Sequence, residues 1–266
     1  MIAAALSVCA ALSVLRTVLT KAPDVHFKED NPGTWHSQLH QDKYIHALLN
    51  GQRGGYFVDL AANHPVSISN TRTLERDFGW SGLCIEPNPH YYKLLLGVRS
   101  CIIANVAISS EAGEVKFASR GYLGGVISNR TEHHGYRPSD GRRKTGEVLT
   151  VPSVPLSEAL ARAGTPPIID YLSLDIEGHE YIAMSTFPWA NYTVRALTVE
   201  RPDAQLLALF REHGYRYLCG NNNVGDQLWV HPTLVSHRAV TALGQAGQTE
   251  ARGSCKGVIT GGARDS

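Results

Sequence analysis

Acidic side chains follow three short apolar stretches of the sequence, and their spacing suggests a shared binding site. Asp59 lies in the first stretch, Glu86 follows the second, and Asp175 and Glu177 follow a later one. In an open α/β sheet the carboxyl ends of neighbouring strands face one crevice. Carboxylates without hydrogen-bond donors would be costly to bury there. A ligand that carries ribose hydroxyls and an ammonium group would supply such donors.

The small residues after Asp59 indicate which cofactor could enter this crevice. Ala61, Ala62 and Asn63 add little bulk, so another molecule could approach the backbone closely. A dinucleotide site would need G-x-G-x-x-G here to admit a pyrophosphate. The turn at 61–66 (AANHPV) contains no glycine. A cofactor without phosphates fits better, and we predict S-adenosyl-L-methionine with Ala61 and Asn63 among its contacts.

Roles for the other cofactor residues follow from their positions. Glu86 at the end of the second strand would bind a ribose diol. Asp59 would contact the ligand directly or order the loop that holds it. Asn105 and Ala107, after the third strand, could line an adenine. Asp175, at the end of the fourth strand, is a further candidate for contact with the cofactor.

A cofactor of this kind donates a methyl group, and the transfer mainly requires two positioned reactants and removal of one proton from the acceptor. Asp175 or Glu177 could orient or deprotonate the acceptor, and His179 and His64 have the most suitable ordinary pKa for a base. Each histidine could equally be structural, His179 on a helix face and His64 in a loop. The carboxylates have no spacing that compels a metal, and we predict none.

The intervening sequence predicts the elements that would position these residues. The predicted strands are too apolar to have a solvent-facing side, which favours a parallel α/β sheet covered on both faces. Strands are predicted within 56–63 and at 83–86, 101–108, 168–174, 194–199, 215–219 and 227–230. The last two are predicted to form a hairpin. Helices are predicted at 38–50, 70–78, 90–96, 155–162, 180–186 and 204–213.

Residues 111–150 interrupt this alternation. They contain a predicted strand at 115–118, a glycine-rich stretch at 121–125 and a polar, basic run at 129–144. A connection of this length in a compact domain is usually a lid, a binding loop or a disordered insertion. Both a substrate-covering lid and a solvated insertion fit the sequence. Acceptor specificity would reside in this segment.

The chain ends predict targeting rather than chemistry. Residues 2–14 are apolar apart from small serines, a length typical of a signal-peptide core and short for a membrane span. We predict a leader at 1–20 (signal peptide or signal anchor), a linker at 21–36, one domain at 37–233 and a disordered tail at 234–266. The chain would enter the secretory pathway or associate with a membrane through residues 2–18. Without a functional leader it would be cytoplasmic.

Charge and cysteine content exclude some classes of protein. The formal net charge of +1, with scattered Lys and Arg, gives no electrostatic case for nucleic-acid binding. No Cys or His spacing fits a zinc site. Cys84 and Cys101 fall on consecutive predicted strands and could either form a disulfide in an oxidising compartment or remain two buried thiols.

Several segments resemble one known family, the FkbM-type methyltransferases of the class I S-adenosylmethionine-dependent fold. They are FVDLAANHPVSISNTRTLERDFGWSGLCIEPNPHYY at 57–92, NVAIS at 105–109 and YLSLDIEGHE at 171–180. Gln38, Gln41 and Asp42 also match the start of that domain. The resemblance covers residues 37–232, and its most specific pieces are IEPNP and LDIEGHE.

This resemblance implies a Rossmann-like fold with a seven-stranded, mostly parallel sheet, helices on both faces and an antiparallel last hairpin. It implies O-methylation of a sugar, lipid or small-molecule hydroxyl with S-adenosyl-L-methionine. By position, Asp59 and Asn63 belong to the first cofactor motif, Glu86 is the ribose-binding acid, and Asp175 and Glu177 lie beside the methyl group. The family's first turn usually carries glycine and an acid, where this chain has Ala61 and His64-Pro65.

The paired cysteines, the GLCIEPNP segment and the hydrophobic N-terminus also resemble the Star-like branch of the family. That resemblance implies a membrane-tethered protein of the secretory pathway, with a role in trafficking or binding and weak or absent catalysis. It is the alternative prediction of function.

Overall fold

The computed structural model describes residues 30–127, 146–221 and 225–235. The predicted leader, residues 21–29 of the linker, the basic run at 129–144 and the tail beyond residue 235 lie outside the described residues. In chain order, the elements are α1 (Gln41–Leu48), β1 (Tyr56–Leu60), α2 (Arg72–Phe78), β2 (Ser81–Ile85), α3 (Pro89–Val98), β3 (Ile102–Ala104), β4 (Ala107–Ile108), β5 (Gly113–Ser119), β6 (Gly125–Val126), β7 (Glu147–Val154), α4 (Leu156–Arg162), β8 (Ile168–Leu174), α5 (Glu180–Ser185), β9 (Thr193–Val199), α6 (Ala204–Glu212), β10 (Arg216–Asn221) and β11 (Asp226–Val230).

Seven strands form the main sheet, in the order β10-β11-β9-β8-β1-β2-β3. β1 is central and pairs in parallel with β2 and β8, so that Asp59 lies between Cys84 and Ser173. β11 runs antiparallel to both β9 and β10. The predicted α/β class, the seven-stranded, mostly parallel sheet and the reversed last hairpin are therefore confirmed.

Hydrophobic cores cover both faces of the main sheet, as the apolar strands require. On one face Phe57 of β1 packs in a cluster with residues of α1, α2 and α3, such as Leu48 and Leu95. On the other face Val58 packs in a cluster with residues of α4, α5 and α6, such as Phe210. The helices thus flank the sheet on two sides and leave the carboxyl ends of its strands for the site.

A second, four-stranded sheet forms from residues that the sequence assigned to one strand and an irregular insertion. Its order is β4-β7-β5-β6. The predicted strand at 101–108 is wrong as one element, because its residues divide between β3 of the main sheet and β4 of the second. The break falls at Asn105, whose side-chain Nδ2 donates to the carbonyls of Glu86 (2.7 Å) and Pro87 (3.1 Å) and turns the chain out of the main sheet.

The insertion at 111–150 is ordered where the structure describes it. Its predicted strand at 115–118 is confirmed within β5, and β7, which the sequence reading missed, pairs antiparallel with β5 along seven residue pairs. Phe117, Val126 and Val151 form a small core of this second sheet together with Ala107. The segment is therefore a sheet beside the crevice rather than a bare loop.

Cys84 and Cys101 form a disulfide, with their Cα atoms 6.3 Å apart. It joins β2 to the residue before β3. Of the two alternatives that the sequence left open, the structure has the disulfide. Among the helices of the described residues, none has both the length and the apolar character needed to cross a membrane.

Candidate active site

A cavity of about 370 Å³ opens at the carboxyl ends of β1, β2, β8 and β9. This volume lies within the range of small-molecule sites. The carboxylates that line it are Asp59, Glu86, Asp175, Glu177, Glu200 and Asp226. Among the described residues that line the cavity, Arg201 is the single cation. The cavity is therefore strongly acidic and would favour a ligand with positive charge.

Asp59 is held by hydroxyl groups on both sides. The Thr71 hydroxyl donates to its Oδ2 at 2.6 Å, and the Ser173 hydroxyl, from the neighbouring strand, also hydrogen-bonds to it. Burial raises the pKa of Asp59 above its ordinary value, although these bonds and the charge of Arg99 act in the opposite direction. Asp59 thus has donors of its own, which fits a residue that orders the site.

A buried ion pair supports this arrangement from behind. Arg99 Nε lies 2.5 Å from Glu75 Oε2, and Arg99 Nη2 donates to the Thr71 hydroxyl at 2.8 Å. Glu75 Oε1 accepts the backbone N–H groups of Ser100 and Cys101 at 2.8 and 2.7 Å. Burial opposes ionisation of Glu75, but Arg99 and Arg72 outweigh it and lower its pKa. Thr71 is therefore oriented toward Asp59 by charges outside the cavity.

The turn after β1 adopts left-handed backbone conformations without glycine. Ala61 has φ +60° and Asn63 has φ +54°. This geometry directs the backbone N–H of Asn63 to Glu86 Oε2, at 2.7 Å. Asn63 Nδ2 donates to the Tyr122 carbonyl at 3.2 Å, while its buried Oδ1 accepts no hydrogen bond from the described residues. This unpaired oxygen belongs to a residue that lines the cavity.

Glu86 connects the turns that follow β1 and β2. Its Oε1 accepts the backbone N–H of Asn88 at 2.7 Å, just as its Oε2 accepts that of Asn63. Burial raises the pKa of Glu86 to about 7, with a further contribution from the charge of Asp59. Asn88 in turn caps α3 by accepting the His90 N–H at 3.0 Å. Each carboxylate oxygen keeps lone-pair capacity for a ligand hydroxyl.

Three carboxylates meet at the ends of β8 and β9. Asp175, Glu177 and Glu200 each offer one oxygen, and these oxygens lie within 4.8 Å of one another. Burial and the Glu200 carboxylate raise the pKa of Asp175 well above its ordinary value, and the same two causes raise that of Glu177 to about 7. The absence of a metal was predicted from spacing along the chain, which does not reveal Glu200 as a third oxygen donor. The group could hold a hard cation or surround an organic one.

Asp226 extends this acidic group from β11. It accepts a hydrogen bond from Gln41 Nε2 at 2.8 Å, and burial together with Glu200 raises its pKa to about 6. Arg201 Nη2 lies 3.0 Å from Glu200 Oε1. Gln41, near the start of the domain, thus contacts the acidic group of the cavity through Asp226.

The structure brings together most of the predicted site residues but places four elsewhere. Asp59, Ala61, Asn63, Glu86, Asp175 and Glu177 all line the cavity. In the described part of the chain, Asn105 lies behind the Glu86 loop and Ala107 in the core of the second sheet. His179 is buried at the start of α5. His64 Nδ1 accepts the backbone N–H of Ser67 at 2.9 Å, so it organises its own loop.

Sequence reasoning missed part of the lining. Glu200 was not among the predicted site residues, because its position beside Asp175 follows only from the pairing of β8 with β9. Asp226 reaches the site because β11 pairs with β9, with Gln227 opposite Val199. Tyr91 and Tyr122 also line the cavity. An acid directly after each strand was the usable signal for Glu200, whereas no local pattern marks Tyr122.

Central parallel strands, a reversed last hairpin and a crevice lined by strand-end acids define a class I methyltransferase fold. The pattern of the family described as "Methyltransferase FkbM domain" matches residues 59–217. The chain therefore belongs to the FkbM methyltransferase family. No curated protein matches the chain.

Solved structures with similar folds include three chains, two of which carry MTase or methyltransferase in their titles. The "delta-N METTL16 MTase domain" is 13% identical, covers 84% of this chain and 95% of its own, and has a TM-score of 0.39. The "Human methyltransferase 10 domain containing protein" is 10% identical over 84% and 96%, with a TM-score of 0.37. "Cofactor-bound Rv0187 from MTB" is 11% identical over 84% and 88%, also with a TM-score of 0.37. All three are distant.

Proposed function

We propose that this methyltransferase uses S-adenosyl-L-methionine to methylate a hydroxyl group of an uncharged sugar, lipid or small molecule. The observation that carries the proposal is the acidic cavity at the strand ends, in which six carboxylates face one arginine among the described lining residues. When bound, the cofactor would supply a methyl group on a positively charged sulfonium. Its ammonium and sulfonium charges suit this lining, and an anionic acceptor would be repelled.

The chain's own groups fit such a cofactor. The buried Asn63 Oδ1, which has no donor among the described residues, can accept a hydrogen bond from the ligand. Glu86 is fixed by two backbone N–H groups and can accept the ribose hydroxyls. Asp59 would order the turn through Thr71. Ala61 and Ala62 keep the backbone accessible.

Proton removal from the acceptor would fall to the acidic group at the ends of β8 and β9. Glu177 has a pKa raised to about 7 by burial and Glu200, close to the value that suits a general base at neutral pH. Asp175, two residues before Glu177, would orient the acceptor or the cofactor. His179 and His64 remain predicted alternatives that act from outside the described cavity lining.

Cofactor binding by the full chain tests the proposal directly. We expect calorimetry to detect binding of S-adenosyl-L-methionine to the wild-type protein and weaker binding to Glu86→Ala. The loss should be about 1.5–3 kcal/mol, the scale of hydrogen bonds to a charged group. A folded wild-type protein that binds no cofactor at millimolar concentration would overturn the proposal. Methyl transfer to matched neutral and anionic sugars would then test the acceptor class.

A second candidate is a Star-like binding or trafficking protein in the secretory pathway. The Cys84–Cys101 disulfide favours it, because disulfides persist mainly in oxidising compartments. The exposed Asn191 lies in an Asn-Tyr-Thr sequon and offers a reporter of that compartment. In a secretory host, a glycosidase-sensitive mass that Asn191→Gln reduces would support this placement. A protein without glycan at Asn191 would oppose it.

A further inference from the structure

We propose that Tyr91 and Tyr122 form an aromatic clamp for the flat purine base of the cofactor, an inference that rests on the proposed function. Tyr91 lies in α3, and Tyr122 lies in the turn between β5 and β6 of the second sheet. Both line the cavity on the side of β2, where Glu86 lies. The acidic group of Asp175, Glu177, Glu200 and Asp226 lies instead at the ends of β8, β9 and β11. The cavity therefore has an aromatic side and a charged side.

The two rings could hold a planar guest between them after a shift of Tyr122. Their centroids are 6.0 Å apart and their planes differ by 16°. The rings are almost parallel and stack on each other, as offset aromatic pairs with centroids about 4.5–7 Å apart do. A base held between two rings needs the ring planes about 7 Å apart, twice the optimal carbon–carbon separation of about 3.5 Å. The planes here are at most 6.0 Å apart, so Tyr122 would have to move outward by about 1 Å or more to admit a base.

Tyr122 is exposed enough to make that shift. It is 49% exposed, whereas Tyr91 is only 9% exposed. Gly121 precedes it with φ +61°, and Gly124 follows, where an added Cβ would lie only 3.0 Å from Phe117 and from the Ala118 carbonyl. The hydrogen bond from Asn63 Nδ2 holds the carbonyl of Tyr122, whereas its half-exposed ring contacts His64 edge-to-face and stacks on Tyr91. The backbone of the turn is therefore fixed while the ring can adjust.

Glu86 places a nucleoside correctly for this clamp. Tyr91 and Glu86 both line the cavity, and burial, Tyr122 and the Glu86 carboxylate, in that order, raise the pKa of Tyr91. Asn88, whose N–H binds Glu86, caps the helix that carries Tyr91. A ribose bound to Glu86 would hold its base one glycosidic bond away, on the side of the two rings. The sulfonium and amino-acid end would then extend toward the acidic side.

Nucleoside binding to the full-length protein tests the clamp without knowledge of the acceptor. S-adenosylhomocysteine and 5′-methylthioadenosine would be titrated by calorimetry into wild type, Tyr122→Ala and Tyr122→Phe. Val148→Ala is the control, because Val148 lies on β7 of the same sheet, is 53% exposed and is not among the cavity-lining residues. Thermal unfolding of each variant would show that it is folded.

We expect Tyr122→Ala to weaken both ligands by about 5- to 150-fold, the effect of removing an aromatic group that stacks on a base. Tyr122→Phe should stay within about twofold of wild type, since stacking needs the ring and not the hydroxyl. Val148→Ala should also stay within about twofold, because Val148 does not line the cavity. An unchanged affinity of Tyr122→Ala, with wild type binding, would overturn the clamp alone. A wild type that binds neither ligand would overturn both the clamp and the proposed cofactor.

Discussion

Ala61 stands in a left-handed conformation, φ +60°, that glycine adopts without strain. An L-residue in this conformation costs about 1–2 kcal/mol, which glycine would relieve. Part of this relief is lost because glycine also has greater conformational freedom in the unfolded chain. We therefore expect Ala61→Gly to raise the free energy of unfolding by about 0.5–1 kcal/mol. Denaturant unfolding would measure the change.

The neighbouring alanine provides the control. Ala62 is buried, and its backbone lies outside the left-handed region. Ala62→Gly should therefore lower the free energy of unfolding by about 1 kcal/mol, since it adds chain entropy and removes a buried methyl group. Changes of the same sign in both variants would contradict this account of the turn.

At the scale of residues, the sequence identified the acids that directly follow strands. Asp59, Glu86, Asp175 and Glu177 could be placed because the carboxyl ends of neighbouring strands in an open α/β sheet face one crevice. Asn105 has a different task, since its amide binds the carbonyls of the Glu86 loop. Side-chain hydrogen bonds of this kind depend on tertiary placement, which local pattern does not contain.

At the scale of elements, the disulfide between Cys84 and Cys101 closes a chain separation of 17 residues across β2, α3 and the start of β3. Cross-linking a loop of this size stabilises a protein by about 3 kcal/mol, chiefly through the unfolded chain. We expect the Cys84→Ala/Cys101→Ala double variant to lose about that much free energy of unfolding under oxidising conditions. Denaturant unfolding in the presence and absence of a thiol reductant would measure it.

Reductant separates the cross-link from simple packing. It should lower the stability of wild type toward that of the double variant and leave the variant itself unchanged. Equal stabilities of the two proteins under oxidising conditions would contradict the prediction. Cys101 of the disulfide donates its backbone N–H to Glu75, the partner of Arg99, which in turn hydrogen-bonds to Thr71. Loss of the disulfide should therefore also weaken the contacts that orient Thr71 toward Asp59.

Helices and strands of the main sheet were predictable from apolar runs bounded by caps and glycines. The strand at Ile168–Leu174 is confirmed as predicted, and the helix predicted at 90–96 lies within α3. The second sheet was not predictable, because β4 has only two residues and β7 pairs with a strand about thirty-five residues away in sequence. Such pairings are decided by non-local contacts, which local pattern does not reveal.

At the scale of the whole molecule, the buried acids predict a stability that depends on pH. The pKa values of Glu86, Glu177 and Glu180 are each raised to about 7, with burial the first cause in each case. A raised carboxyl pKa favours folding below the unfolded-state pKa of about 4.3, and this contribution is lost as pH rises through about 7. We therefore expect the free energy of unfolding to fall between pH 5 and pH 8.

Denaturant unfolding across this range would measure the fall, with an upper limit of about 1.4 kcal/mol per group for each unit of pKa difference. Glu177→Gln should reduce the slope, because the neutral amide does not titrate. Glu114→Gln, at an exposed position on β5, should leave it unchanged. A stability that rises from pH 5 to pH 8 would contradict the prediction.

The second sheet begins and ends at one point of the fold. β4 pairs in parallel with the end of β7, and the Ser109 N–H donates to the Val154 carbonyl at 3.1 Å. Residues 109 and 154, the two ends of this segment, therefore lie at adjacent positions beside the main sheet. A segment of different length or sequence can be grafted between two such neighbouring ends with little entropic cost. The segment between residues 109 and 154 could therefore be replaced without a change in the register of the main sheet.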